Sequence, residues 1–263
     1  MSQANTIEHN AIPTTPELKV DGRIATIRFR NPAYANRLSP SDLDVIKEHL
    51  KSVNQNQEVL VLRFVADGKY FCSGYDISSL AAESAPSSTY FGDTVDLIET
   101  ARPITIAAIQ GGVYGGGTDL SLACDFRLGV PGANMFMPAT KLGLHFYPGG
   151  MVRYISRLGL NNAKKLFLTS EKIESQEMLE IGFLTEILED EHLLIRLDQL
   201  SEQIAGMAPL AVIGIKKHMN LIARGIVDDQ AIRAAVAISE KSKDIKEGAL
   251  AWKEKRAARF TGE

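Results

Sequence analysis

With 263 residues, a formal net charge of −3, 45% hydrophobic and 23% charged residues, the chain can build one sizeable core. That balance excludes the clustered basic surface nucleic acid demands, and its longest apolar runs, such as residues 105–110, fall far short of a membrane span. Residues 1–15 are polar and read without a secretory signal, and Cys72 and Cys124 match neither a metal-ligand pattern nor a disulfide framework. The expectation is a cytoplasmic α/β protein with no bound metal and two small buried thiols.

Residues 1–17, with Pro13 and Pro16, read as a flexible N-terminus. Residues 23–30 alternate apolar and polar side chains, as a half-buried strand does. Ser39-Pro40 opens a helix, Ser39 as its cap, with Leu43, Ile46, Leu50 and Val53 as the apolar stripe. Residues 59–65 form a β-branched strand that ends at the turn Asp67-Gly68. Residues 81–88 are small and polar and read as a mobile loop. Three further strands are expected at 105–109, 124–128 and 134–137. Strand signals then stop near Gly149, and helices are expected at 149–157, 163–169, 175–181, 191–207, 210–223, 228–241 and 246–258. Strands followed by helices predict an α/β core at 18–190 and a helical region at 191–263.

Two segments carry chemistry. Phe71-Cys72-Ser73-Gly74-Tyr75-Asp76-Ile77 follows a strand, and so does Gly111-Gly112-Val113-Tyr114-Gly115-Gly116-Gly117-Thr118-Asp119-Leu120. Neither has the spacing of a dinucleotide site or a P-loop. Successive glycines at a strand-to-helix turn leave backbone N–H groups bare at a helix start, where the dipole favours negative charge. Two such donors converging from the two segments would make an oxyanion hole. Read singly, each segment is equally consistent with a tight turn.

Together and in this order the segments resemble the crotonase (enoyl-CoA hydratase/isomerase) superfamily. Phe71–Ile77 is similar to that family's F-[SC]-[AS]-G-x-D-[IL] pattern, and Gln110–Asp125 to its N-G-x-x-x-G-G-G-x-[ED]-L-x-x-x-C-D pattern. Pro138–Leu144 with Gly149-Gly150 resembles P-E-x-x-L-G-L-x-P-x-x-G-G, and Glu247–Arg256 resembles E-G-x-x-A-F-x-E-K-R. The resemblance implies a spiral of β-β-α turns with a C-terminal helical trimerisation region, assembled as a homo-trimer or hexamer. It implies an acyl-CoA thioester as substrate, with coenzyme A bound only as part of it and no permanent cofactor. It maps the oxyanion hole onto the N–H groups of Tyr75 and Gly116. It also sets Asn36, Arg37, Ser73, Gly74, Asp76, Ile77 and Lys255 near the coenzyme.

The acid/base set departs from a hydratase. Where the family pattern has two glutamates, this chain has Asp119, shorter by one methylene, and Ala139, with no acid at all. Loss of the matched pair argues against the standard two-glutamate hydration mechanism. Asp119 is read as a catalytic acid/base or as a local ion-pairing group. His145, Tyr147 and Thr140 are the polar side chains placed to substitute, and Tyr147 also resembles a pocket tyrosine of the family's methylmalonyl-CoA decarboxylases. Three functions therefore stay open: hydration or double-bond isomerisation of an enoyl-CoA, decarboxylation of a malonyl-CoA-like substrate, and non-catalytic acyl-CoA binding.

Overall fold

The structure, a computed structural model, describes residues 14–76 and 89–263. Its strands are β1 (Glu17–Asp21), β2 (Ile24–Phe29), β3 (Val61–Ala66), β4 (Tyr70–Cys72), β5 (Ile104–Ile109), β6 (Gly112–Tyr114), β7 (Phe126–Gly129), β8 (Asn134–Phe136), β9 (Ile173–Glu174) and β10 (Glu186–Ile187). Its helices are α1 (Pro40–Gln55), α2 (Tyr90–Glu99), α3 (Gly116–Ala123), α4 (Pro148–Leu158), α5 (Leu160–Thr169), α6 (Ser175–Glu180), α7 (Leu193–Ala205), α8 (Pro209–Ala223), α9 (Asp229–Lys241) and α10 (Lys243–Glu254).

The strands fall into two sheets. The larger has the order β1-β2-β3-β5-β7-β10, parallel except for the β1–β2 hairpin. The smaller has the order β4-β6-β8-β9, with β4, β6 and β8 parallel. Each long strand of the middle of the chain is followed at once by a short one in the second sheet and then by a helix: β5-β6-α3 and β7-β8-α4. This is the stacked β-β-α spiral that the motifs imply. All six residues of β5 are buried, as a strand covered on both faces requires.

Local signals explain most elements. Ser39 accepts from the Asp42 N–H at 3.2 Å while Asp42 accepts from the Ser39 N–H at 2.9 Å, a reciprocal cap that fixes the start of α1. The expected stripe Leu43, Ile46, Leu50 and Val53 is buried. Asp125 is structural: it accepts from the Thr105 N–H at 2.8 Å and pairs with the Lys216 ammonium at 2.8 Å, tying α8 to β5.

Several boundaries differ from expectation. Glu17 already belongs to β1, and residues 1–13 lie outside the described residues, as does the expected loop at 81–88. Strands do not stop near Gly149, because β9 and β10 extend both sheets, each too short to show alternation. Cys124 ends α3 instead of starting β7. The last helix starts earlier than expected because the Ser242 hydroxyl caps the Ile245 N–H, and it stops at Glu254 because Lys255 turns left-handed, φ 55°. Helix α2 has no counterpart in the sequence reading. Ser39→Ala should lower stability by about 1 kcal/mol. A urea midpoint unchanged by that substitution would show that the cap does not hold α1.

Candidate functional site

β4, β6 and β8 are parallel neighbours, so the turns after them lie side by side at one edge of the smaller sheet. Those turns are Ser73-Gly74-Tyr75, Gly115-Gly116 and Pro138-Ala139. The carboxyl ends of parallel strands are where α/β folds place ligands. Here all three turns line one cavity of about 340 Å³.

The two glycine turns touch through their backbones. Gly74 has φ 91°, and a Cβ there would fall 2.6 Å from the Gly116 nitrogen. A Cβ on Gly117 would fall 2.5 Å from the Cys72 carbonyl oxygen. Leu38 bridges this strand in parallel: its N–H donates to the Gly74 carbonyl at 2.8 Å and its carbonyl accepts from the Asp76 N–H at 2.9 Å. A parallel bridge of that kind leaves the Tyr75 N–H on the opposite side. Gly116 is the first residue of α3, so its N–H has no partner within the helix. Among the described residues neither the Tyr75 N–H nor the Gly116 N–H has a hydrogen-bond partner, and both residues line the cavity. The Tyr75 ring packs 5.7 Å from Phe91, whose own ring closes over Gly116.

Asp119 sits one helical turn beyond Gly116 and is completely buried. Arg153 of α4 grips it with both edges of its guanidinium, Nε donating to Oδ1 at 3.0 Å and Nη2 to Oδ2 at 2.7 Å. The Tyr147 hydroxyl donates to the same Oδ2 at 2.6 Å. Asp119 therefore pairs, but with a residue 34 positions away in sequence and not locally. Arg153, itself fully buried, also donates through Nη1 to Asp96 at 2.5 Å and to Glu99 at 3.2 Å. Arg224, just past the end of α8, joins the same two acids. Burial alone pulls the Arg153 guanidinium pKa down, but the Asp119 charge and the hydrogen bonds to Asp119 and Asp96 outweigh it and leave the pKa raised. Sequence reading missed Arg153, Asp96, Glu99 and Arg224. The one signal available was an arginine on the buried face of α4, between Gly150 and Tyr154.

Tyr147 is pressed between helices. A Cβ on Gly92 of α2 would fall 2.6 Å from its ring, one on Gly150 of α4 would fall 2.9 Å from it, and Phe146 stacks on it at 4.2 Å. Burial first, then the neighbouring Asp119 charge, holds the phenol well above its ordinary pKa, so it stays protonated at neutral pH. His145 lines the cavity from its exposed rim, with Nδ1 2.8 Å from the Phe146 carbonyl oxygen. A carbonyl only accepts, so Nδ1 is the donor in that contact. Thr140 drops out of the site: its hydroxyl donates to the Phe167 carbonyl at 2.7 Å. Ala139 adds only a methyl to the wall.

The residues expected near the coenzyme separate into groups. Ser73 lines the cavity, and Arg37 pairs with Asp76 at 3.4 Å beside the Tyr75 bridge. Asn36 is 1% exposed, accepts from the Asn31 N–H and donates to the Asp67 and Tyr70 carbonyls at 2.9 and 2.8 Å, so its amide pegs the backbone. Lys255 is exposed at the end of α10 and is not among the residues that line the cavity, and Ile77 lies outside the described residues. Burial pushes both thiols, Cys72 and Cys124, up to about 12, which makes them packing groups and not nucleophiles. Among the described residues no cluster of His, Cys, Asp or Glu could hold a metal ion.

Residues 19–263 match the family model described as enoyl-CoA hydratase/isomerase. A crotonyl-CoA hydratase of Syntrophomonas wolfei is 30% identical over 250 residues, covering 92% of this chain and 96% of that protein. A peroxisomal Delta(3,5)-Delta(2,4)-dienoyl-CoA isomerase of Arabidopsis thaliana is 29% identical, covering 91% of this chain and 93% of that one. The crystal structure of an enoyl-CoA hydratase from Bacillus anthracis superposes with a TM-score of 0.86 at 28% identity, covering 95% of this chain and all of that one.

The Asp119–Arg153 pair generates a stability test. Breaking a buried pair leaves an uncompensated charge, so Asp119→Ala and Arg153→Met should each cost about 3–5 kcal/mol. The double variant should cost clearly less than the two added together, because it removes both charges. Strict additivity in urea unfolding would show that the two side chains do not depend on each other.

Proposed function

This chain belongs to the enoyl-CoA hydratase/isomerase family, and within it we propose that the cavity holds an acyl-CoA thioester whose carbonyl oxygen lies between the N–H groups of Tyr75 and Gly116. The reaction is isomerisation or hydration of an enoyl-CoA through an enolate. The observation that carries this reading is the backbone contact of Gly74 with Gly116, which joins the two turns that bring these donors to an apolar cavity. Donors fixed where charge develops need no reorganisation when the enolate forms.

Isomerisation suits the residues better than hydration. Syn-addition of water calls for two carboxylates around one water, and Ala139 supplies none. Asp119 already accepts from three donors, two on Arg153 and one on Tyr147, and it is not among the residues that line the cavity, so Tyr147 stands between it and a substrate. Moving a proton between two carbons of one substrate needs a single site that takes and returns it. The Tyr147 oxygen is that site. It receives the carbon-bound proton as its own passes to Asp119 Oδ2, and the reverse step returns a proton to the other carbon. Asp119 acts through Tyr147, and Arg153 positions Asp119. His145, which lines the same cavity, is the competing base.

Incubation with enoyl-CoA thioesters in D₂O should exchange deuterium into the acyl chain. Tyr147→Phe and Asp119→Asn should each slow exchange by about 10²–10⁴, while His145→Gln changes it little. Loss of exchange in His145→Gln with Tyr147→Phe active would transfer the role to His145, and release of CO₂ from a malonyl-type thioester would point to decarboxylation. Gly116→Pro removes one oxyanion donor and, measured against Gly116→Ala, should slow turnover by a further factor of about 10²–10³. Gly116→Ala is the control that keeps the N–H, although its Cβ meets Phe91 at 2.6 Å.

The same reading extends to assembly and location. Ile215 and Met219 on α8, Ile238 on α9 and Trp252 on α10 are large apolar side chains left exposed, Trp252 by 88%. Such faces favour a closed homo-oligomer, a trimer or a hexamer. Light scattering at micromolar concentration should return one of those masses, and a stable monomer would refute the assignment. Among the described residues no helix is long and apolar enough to cross a membrane, and the net charge of −3 agrees with a cytoplasmic protein that does not bind nucleic acid.

A further inference from the structure

Beside the substrate cavity lies a second one of about 270 Å³, a groove open to solvent in which Ile155, Leu160 and Leu168 are 47%, 49% and 69% exposed. The two share Ala139, Leu144, His145 and Phe146, so a single layer of side chains separates them. The far cavity runs between α4 and α5 and is walled by Met151, Ile155, Leu160, Ala163 and Leu168, with Lys164 at its side. Thr140 and Tyr154, also in its wall, have their hydroxyls committed, Thr140 to the Phe167 carbonyl at 2.7 Å and Tyr154 to the Thr118 hydroxyl. The hydrogen-bonding capacity that remains among the lining side chains is His145 in the shared partition and Lys164 at the side, and the apolar floor of the groove suits hydrocarbon.

The partition is thin where it matters. Position 139 carries a methyl, so the wall between the cavities lacks the bulk that a glutamate would add there. Phe146 forms the rest of the partition, held edge-on by Tyr154 at 6.1 Å, tilted against Phe167 at 4.9 Å and stacked on Tyr147 at 4.2 Å. The first cavity, at about 340 Å³, has room for the thioester and the carbons next to it. A longer chain pointing away from Tyr75 and Gly116 meets Ala139 first and the far cavity next.

Resting on the enoyl-CoA reading above, we propose that the far cavity receives the distal end of the acyl chain, so that the substrates are medium- or long-chain enoyl-CoA thioesters and not crotonyl-CoA. Ala139 opens the passage, and Ile155, Leu160 and Leu168 line its end. Loss of the second carboxylate then has a positive consequence: the position that would have held an acid becomes part of an apolar channel.

The test measures binding and turnover separately. Calorimetry with saturated butyryl-, octanoyl- and dodecanoyl-CoA reads affinity without chemistry, and deuterium exchange with the matching enoyl thioesters reads turnover. Burial of each methylene should tighten binding about three- to fourfold, with octanoyl-CoA well ahead of butyryl-CoA. Ile155→Trp and Leu168→Trp fill the far cavity from positions 47% and 69% exposed, which spares the fold. They should weaken octanoyl- and dodecanoyl-CoA tenfold or more and leave butyryl-CoA within about twofold. Affinity that does not depend on chain length would overturn the proposal, as would equal losses for all three thioesters. A change in oligomeric mass on Ile155→Trp with no change in chain-length preference would assign the face to a second copy of the chain instead, and would overturn it too. If binding follows chain length but no thioester exchanges deuterium, the channel stands and the enzymatic reading fails.

Discussion

The structure depends on how closely two backbones approach at Gly74, Gly116 and Gly117. A side chain at any of the three would drive a carbon to within 2.6 Å of a neighbouring atom: the Gly116 nitrogen, the Phe91 ring or the Cys72 carbonyl oxygen. Glycine is what allows β4 and β6 to end in turns that touch. Once they touch, one donor from each turn is fixed relative to the other by sheet hydrogen bonds, and α3 is launched with its N-terminus at the same point. The short strands matter for the same reason. Three residues are enough to set register, and a longer strand would carry the turns past each other.

Around that fixed point the charges form a chain. Asp119, Arg153, Asp96, Glu99 and Arg224 link α3, α4, α2 and the end of α8, and Asp119 and Arg153 are fully buried. A buried pair gives little net stability relative to an apolar one, because desolvation cancels most of the attraction. Its contribution is geometric. Arg153 has a fixed planar fork, so Asp119 has one orientation, and Tyr147 finds its acceptor in one place. The network converts packing of four helices into the position of one phenol oxygen. It also removes Asp119 from the role of exposed general base.

The spiral is legible in the sequence because glycine patterns report backbone demands directly. Ser73-Gly74-Tyr75 and Gly115-Gly116-Gly117 mark turns that no other residues could make, and the structure brings them together. The α1 cap and stripe are equally plain, since Ser39, Pro40 and Asp42 each act within one turn of the chain. What stays hidden acts at a distance. Asn36 is expected near the coenzyme, and nothing local shows that its amide holds carbonyls 31 and 34 residues away. Arg153 lies 34 residues from Asp119 and 54 from Glu99, and no local pattern records that pairing. The two-residue strands β9 and β10 have no period to detect, and their place is set by the neighbours they join.

Ala139 and Asp119 are two halves of one change. An acid at position 139 would stand in the wall between two apolar cavities, and the one lysine or arginine among the residues lining them is the solvent-facing Lys164. Ionised, that acid would have to be hydrated, and the water it held would occupy the space that hydrocarbon can fill. Removing it dries the wall and leaves Asp119 as the one carboxylate of the pair. A lone carboxylate beside an apolar cavity is costly unless it is compensated, and Arg153 compensates it. Asp119 is not among the residues that line the cavity; Tyr147 lines it and donates to Asp119 Oδ2, so the phenol is the link between the carboxylate and the cavity. Apolar lining, ion-paired aspartate and protonated tyrosine are thus not three independent features. Asp119 Oδ2 accepts from both Arg153 and Tyr147, and Tyr147 stands in the apolar wall.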